Sequence, residues 1–179
     1  MIFSVYPTRG YCEECSVTSV ASKKYKIPIS VLVVIHTPDL QVLLLERADH
    51  PGFWQSVTGS QDEGETLRQT AAREVGEETG LDAGAFELTD WNIRNEYEIY
   101  QEWRWRYAPG VTRNVEHVFG LRLPGTLHVK VAPGEHLGYL WMPHDQAADK
   151  VFSWSNAQVL RSLPEHLARR LNNDRDFRS

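Results

Sequence analysis

The stretch that decides the fold is GSQDEGETLRQTAAREVGEETGL, residues 59–81, which contains five glutamates. Its middle, residues 66–79, is predicted to form a helix that stops at Gly80, because glycine readily adopts the left-handed backbone that ends many helices. Four positions of this helix recur at steps of four and three residues, which is the spacing of a buried face. These positions are Leu67, Ala71, Glu74 and Glu78. The predicted helix therefore turns carboxylates toward the interior.

Carboxylates on a buried face need positive partners. Glu74 and Glu78 are like charges one helical turn apart, and burying them unpaired is costly or forces protonation. Arg73 can neutralise part of this charge and stands four residues before Glu77, the spacing of a helical ion pair. Hard carboxylate oxygens at short spacing suit Mg²⁺ or Mn²⁺. The alternative is a solvated acidic face with ordinary Glu–Arg pairs, but the shared apolar face favours a metal site.

The same stretch resembles the Nudix box, G-x5-E-x7-R-E-U-x-E-E-x-G-U, in which U is an aliphatic residue. Gly59, Glu65 and the run from Arg73 to Leu81 occupy every fixed position. The resemblance implies an α+β Nudix fold, a mixed β-sheet sandwiched between helices (α/β/α) with a loop–helix–loop box. It also implies metal-dependent hydrolysis of a diphosphate linkage attached to another moiety, with Mg²⁺ or Mn²⁺ as the cofactor.

The resemblance implies roles for residues of the box. The implied metal ligands are Glu74, Glu77, Glu78 and a carbonyl oxygen near Gly59. Arg73 would orient a glutamate through charge-assisted hydrogen bonds. Glu65 would stabilise the loop or the start of the helix, where negative charge suits the helix dipole.

Family members often add a glutamate from a distant loop. Glu135, in APGEHLGYLWM, is our candidate for this ligand or for the general base, and Glu116, in RNVEHVF, is the alternative. A solvated surface glutamate is the simpler interpretation of either residue. The spacing leaves open which glutamate removes the proton from water.

Stretches outside the box indicate a substrate. FWQSVTGS, WRYAPGVTRNVEHVF and SWSN resemble the branch of the family that acts on a pterin triphosphate, 7,8-dihydroneopterin 3'-triphosphate. That resemblance implies release of pyrophosphate in a step of folate synthesis. The implied substrate-binding residues are Lys26, Arg47, Thr58, Tyr97, Glu98, Ile99, Tyr100 and Ser153, with Trp154 closing the pocket. The cations would bind phosphates, and the aromatic stretch would hold the ring, with Glu98 accepting its N–H groups. The stretch from Tyr97 to Tyr100 is equally compatible with an ordinary alternating strand.

Three other functions remain open. The first is a nucleoside triphosphate pyrophosphohydrolase acting on dNTPs or oxidised nucleotides. The second is a Nudix-fold sensor without chemistry, which the intact box disfavours. The third is an RNA-end pyrophosphohydrolase, which a net charge of −5 and the lack of a basic run disfavour.

Short apolar runs predict the other elements. KIPISVLVVIH and QVLLLER form a predicted hairpin, and GFWQSVTGS is a short strand that enters the box. The predicted strands after the box are FELTDWNIR, NEYEIYQEWRWRY, VEHVFGLRL, LHVKV and HLGYLWM. A helix from about Ser155 carries one apolar face, and Pro164 either starts a second segment or kinks this helix. The face consists of Leu160, Leu163, Leu167 and Leu171.

The length of 179 residues suggests one domain. We expect an N-terminal extension over residues 1–24, a Nudix domain over 25–172 and a tail over 173–179. The extension holds the only cysteines, Cys12 and Cys15, which we interpret as reduced thiols because a zinc site needs two further ligands. With no apolar leader and a net acidic charge, we expect a cytoplasmic protein that binds a small pterin or nucleoside triphosphate, without nucleic-acid or membrane partners. The sequence does not predict the oligomeric state.

Overall fold

The structure is a computed structural model that describes residues 25–168. The predicted extension 1–24, the tail 173–179 and Leu171 lie outside the described residues. Within residues 25–168, no helix has the length and apolar character needed to cross a membrane.

Seven strands and three α-helices make up the described part of the chain. The strands are β1 (Ile29–His36), β2 (Gln41–Arg47), β3 (Trp54–Gln55), β4 (Val57–Ser60), β5 (Glu87–Glu98), β6 (Arg113–Arg122) and β7 (His136–Pro143). The helices are α1 (Leu67–Thr79), α2 (His144–Lys150) and α3 (Trp154–Arg161), with short 3-10 helices at Ala83–Ala85 and Gln101–Arg106. Residues 163–168 are also helical.

The sheet is mixed, as the Nudix resemblance implies. β1 runs parallel to β6 and antiparallel to β2 and β4. β5 pairs with β6, and both β3 and β7 pair with β2, all antiparallel. β1 lies at the centre of the sheet and is buried on both faces, which explains its continuous apolar run.

Helices cover both faces of this sheet. Val31 and Val33 of β1 belong to the core cluster that contains Val75 of α1. The alternate residues Leu32 and Val34 belong to a second cluster, which contains Ala147 of α2 and Leu160 of α3. Because side chains alternate along a strand, the single strand β1 serves both cores. The α/β/α arrangement is confirmed.

The predicted helix of the box is confirmed, with a defined stop at each end. Thr66 is the N-cap: its side chain accepts a hydrogen bond from the Gln69 backbone N–H, and Gln69 Oε1 accepts one from the Thr66 N–H at 2.8 Å. Gly80 ends the helix with φ of +70°, and its N–H donates to the Gly76 carbonyl at 2.9 Å. This register buries Glu78 and largely buries the side chain of Glu74.

LHVKV is not a strand, so that prediction was wrong. Residues 126–132 belong to no strand or helix, and two of their backbone groups pair with the end of α1: the Lys130 N–H donates to the Thr79 carbonyl at 2.9 Å, and the Ala132 N–H donates to the Glu78 carbonyl at 3.3 Å. Carbonyls at a helix C-terminus lack partners within the helix, and this segment supplies them. Alternate apolar residues of the segment still pack against the core, which explains its strand-like pattern.

Two predicted strands after the box form one. β5 runs through both FELTDWNIR and the start of NEYEIY, with an irregularity between Asp90 and Ile93 where Asn92 adopts φ of +55°. QEWRWR is a 3-10 helix, so the predicted strand there was wrong beyond Glu98. The C-terminal helix stops at Ser162 and helical structure resumes at residue 163, so Pro164 lies in a second segment.

Candidate active site

Arg73 holds the acidic side chains of the box together. Its Nε and Nη2 donate to the two carboxylate oxygens of Glu65 at 2.7 and 3.0 Å. Nη1 donates to Glu74 at 2.7 Å and to Glu77 at 3.0 Å, and Nη2 also reaches the Ser60 carbonyl at 3.0 Å. The Arg73 hydrogen bonds lower the pKa of Glu65 to about 2. One guanidinium thus positions three carboxylates on the loop and the helix.

Glu74 packs directly against Gly59 of β4. A β-carbon at position 59 would overlap the Glu74 carboxylate, so any larger residue there would push that carboxylate out of its present position. Burial raises the pKa of Glu74 to about 7, despite the Arg73 hydrogen bond. The nearby charges of Glu78 and Glu77 add to this rise. The helix therefore carries a carboxylate that lacks enough positive charge around it.

Glu78 is the most enclosed acid of the box, with 4% of the residue exposed. Its Oε1 lies 3.5 Å from Nε2 of His136, and its Oε2 lies 3.4 Å from the Thr58 backbone N–H. Burial raises the pKa of Glu78, and the charge of Glu135 contributes. Single ligand atoms of Glu78, Glu135 and His136 all lie within 4.8 Å of one another.

These residues fit a divalent cation. Glu78 is buried, Glu74 is largely buried, and both have a raised pKa, while Glu135 brings an exposed carboxylate next to Glu78 and lines the acidic cavity with Glu74. Converging oxygens with excess negative charge are the donor set that Mg²⁺ and Mn²⁺ prefer. Glu77 differs, because 58% of its side chain is exposed and it is hydrogen bonded to Arg73. It lies at the rim of the acidic site.

Three cavities share lining residues, and two of them are lined by residues of α1. The acidic cavity is lined by Glu74, Glu77 and Glu135. The middle cavity is lined by Glu78, Glu135, His136 and the cations Arg47 and Arg106. The aromatic cavity, of about 370 Å³, is lined by Tyr97, Tyr100, Trp103, Tyr107 and Phe152. Lys26 lines all three cavities, so basic side chains connect the acidic site with the aromatic cavity.

The structure brings the eight predicted substrate-binding residues to one cavity. Lys26, Arg47, Thr58, Tyr97, Glu98, Ile99, Tyr100 and Ser153 all line the aromatic cavity, as does Trp154. Several of their side chains already have structural partners. Thr58 Oγ1 donates to the Val31 carbonyl at 2.9 Å, and Ser153 is the N-cap of α3. Arg47 pairs with Asp49 at 2.7 Å.

Two acids that line the aromatic cavity, Glu98 and Glu116, have different surroundings. Glu98 is exposed over 71% of its side chain and pairs with Arg104 at 2.7 Å, so its carboxylate already has a cation. Glu116, the alternative to Glu135, is buried and lines the aromatic cavity, whereas Glu135 lines the acidic and middle cavities. The geometry therefore favours Glu135 over Glu116 as a partner of the box.

Sequence reasoning missed several residues of the site. His136 stands next to Glu135, but nothing in its spacing indicates contact with α1. Arg106, Trp103 and Tyr107 lie in or next to a 3-10 helix that the sequence analysis assigned to a strand. The available signal was the density of aromatic and basic residues in WRWRY.

Comparisons with known proteins agree with this geometry. The family model of the NUDIX domain matches residues 26–163, so the chain belongs to the Nudix family, whose hydrolases depend on divalent metals and act on small phosphate compounds. The chain is 50% identical over 144 residues to the dihydroneopterin triphosphate diphosphatase of Escherichia coli K12, covering 79% of this chain and 95% of that protein. It is 37% identical over 155 residues to the protein of the same name from Haemophilus influenzae, covering 85% and 97%.

Solved structures give the same result. The structure of the E. coli dihydroneopterin triphosphate pyrophosphohydrolase superposes with a TM-score of 0.73 at 48% identity, covering 77% of this chain and 95% of that one. A NUDIX hydrolase structure from Listeria monocytogenes superposes with a TM-score of 0.67 at 25% identity, covering 83% and 97%.

Proposed function

We propose that this chain hydrolyses 7,8-dihydroneopterin 3'-triphosphate to dihydroneopterin 3'-phosphate and pyrophosphate. The observation that carries the proposal is the 50% identity with a dihydroneopterin triphosphate diphosphatase over 95% of that protein's length. The layout of the site supports it, since an aromatic cavity of about 370 Å³ shares Lys26 with the acidic cavity beside α1.

The acidic side chains serve to hold Mg²⁺, or Mn²⁺ in its place. Glu74, Glu78 and Glu135 would hold the ion, with Glu77 at the rim and the Gly59 carbonyl as a further oxygen. Bound divalent ions neutralise phosphate oxygens and make a coordinated water a better nucleophile. Arg73 orients Glu74 and Glu77 through the hydrogen bonds described above.

The remaining residues bind the substrate. Lys26, Arg47 and Arg106 attract the triphosphate as it crosses from the aromatic to the acidic cavity. Tyr97 and Trp103 supply ring faces against which a pterin packs. Glu135 either accepts a proton from water or completes the metal site, and its exposed position next to Glu78 supports both roles.

A substrate panel tests the proposal. Release of pyrophosphate is measured with Mg²⁺ for dihydroneopterin triphosphate and for each dNTP. We expect kcat/KM for the pterin triphosphate to exceed that for the best dNTP by about tenfold or more. We expect activity on either substrate to be lost when a chelator removes the metal. A dNTP that exceeds the pterin by a similar factor would show a nucleotide hydrolase instead.

A further inference from the structure

A buried acid lies against the aromatic cavity, apart from the acidic helix. Glu116 of β6 is 4% exposed and lines this cavity. Within the described part of the chain, its hydrogen bonds come from neutral side chains: Asn95 Nδ2 donates to Oε1 at 3.1 Å, and the Ser155 side chain is the second partner. Burial raises the pKa of Glu116. A buried carboxylate without a cation is costly, so this position favours a ligand that brings further N–H donors.

The surroundings of Glu116 fit a flat ring. Glu116 pairs with Ser30 in the parallel β1–β6 register, on the face of the sheet that α3 covers. Tyr97 and Phe152 line the same cavity, and Ser155 belongs to the first turn of α3. The pKa of Tyr97 is raised mainly by burial and also by the charge of Glu116, so the two side chains are near neighbours. A ring between these aromatic side chains would have one edge facing the carboxylate.

The 2-amino-4-oxo ring of a pterin carries two adjacent donors on one edge, the 2-amino group and the neighbouring ring N–H. A carboxylate accepts both through its two oxygens. We propose that Glu116 determines ring specificity by accepting these two donors, which selects 2-amino-4-oxo rings over rings that lack the amino group. This inference rests on the proposed function, because it assigns the acceptor for the ring of that substrate. It replaces Glu98 in this role, since Glu98 is exposed and paired with Arg104.

The test compares two ring ligands that differ at one position. Neopterin and its 2-oxo analogue, a lumazine, are titrated as competitive inhibitors of the wild-type protein and of Glu116→Gln. We expect wild type to bind neopterin about 10- to 100-fold more tightly than the analogue. The glutamine amide presents a donor where the carboxylate accepts, so the variant should bind the two ligands within about threefold of each other.

The control is Glu96→Gln, which makes the same chemical change at an exposed acid of β5 paired with Arg113. We expect it to keep the wild-type ratio of the two inhibition constants. A wild-type protein that binds both ligands equally overturns the inference, and this arm holds even if Glu116→Gln fails to fold. A folded Glu116→Gln protein that keeps the neopterin preference overturns it as well.

The two proposals fail in different ways. If the wild-type protein prefers a dNTP over dihydroneopterin triphosphate, the proposed function fails. If it hydrolyses the pterin triphosphate as expected but Glu116→Gln keeps the ligand ratio, only the role of Glu116 fails.

Discussion

Gly59 and Glu74 show how one missing side chain shapes the site. A β-carbon at position 59 would overlap the Glu74 carboxylate, which is hydrogen bonded to Arg73. We therefore expect Gly59→Ala to lower kcat by about 100-fold, because displacing a ligand by about 1 Å carries a cost of that size. The matched control is Gly138→Ala in β7, where an added β-carbon meets open space. Equal activity of the two variants would contradict the contact.

Glu78 links burial to metal dependence at the residue scale. Because the pKa of Glu78 is raised in the folded protein, the ionised carboxylate destabilises the metal-free fold at pH values above the ordinary glutamate pKa of 4.5. Glu78→Gln should therefore unfold at an equal or higher temperature than wild type at pH 8 without metal, and this difference should shrink toward pH 4.5. With Mg²⁺, its turnover should fall by at least about 100-fold. Glu96→Gln is the control, and unchanged turnover in Glu78→Gln would remove Glu78 from the site.

Individual residues were predictable to different degrees. The inward placement of Glu74 and Glu78 follows from helical periodicity, which is a local property. The contact between His136 and Glu78 joins residues far apart in the chain, so it depends on how β7 docks beside α1. From the sequence, Glu98 was assigned to the ring and Glu116 only as an alternative to Glu135, because the position of α3, which encloses Glu116, cannot be read from strand alternation.

At the scale of elements, the pair of Glu65 and Arg73 connects the loop of the box to α1. The pKa of Glu65 falls from 4.5 to about 2 in the folded protein, so its ionised form stabilises the fold. That stabilisation is complete above about pH 4.5 and is lost as the pH falls toward 2. The difference in unfolding free energy between wild type and Glu65→Gln should therefore be largest at neutral pH and disappear near pH 2. Denaturant unfolding across this range measures it, and a difference that is independent of pH would contradict the ion pair.

The element predictions failed where pairing is not local. LHVKV has the composition of a strand, but its backbone hydrogen bonds go to the end of α1, which a pattern search does not see. QEWRWR was assigned to a strand, yet it forms a 3-10 helix whose residues Trp103 and Arg106 line the aromatic cavity. Helix α1 was predicted within one residue because Thr66 and Gly80 mark its ends.

At the scale of the whole molecule, basic residues join two chemically different cavities. Arg106 lines both the aromatic and the middle cavity. We expect Arg106→Ala to raise KM for the triphosphate by about tenfold with little change in kcat. The substitution removes a cation that binds the phosphates equally in the bound substrate and in the transition state. Steady-state kinetics measure this, with Arg113→Ala, an exposed residue paired with Glu96, as the control. A fall in kcat at constant KM would contradict a binding role.

The whole fold was largely predictable, since the box predicted helix α1 and the apolar runs predicted the central strands β1 and β2. The arrangement of cavities was not, because it depends on packing α3 over one face of the sheet while α1 covers the other. Residues far apart in the chain meet in the aromatic cavity, among them Lys26 and Ser153.

The most direct measurement is a crystal structure with Mn²⁺ and a non-hydrolysable triphosphate analogue, with anomalous scattering to locate the metal. We predict manganese peaks within coordination distance of the carboxylate oxygens of Glu74, Glu78 and Glu135, and phosphate oxygens of the analogue bound to the same ions. A map without manganese among these carboxylates would contradict the claim that divalent cations balance the buried acids of α1.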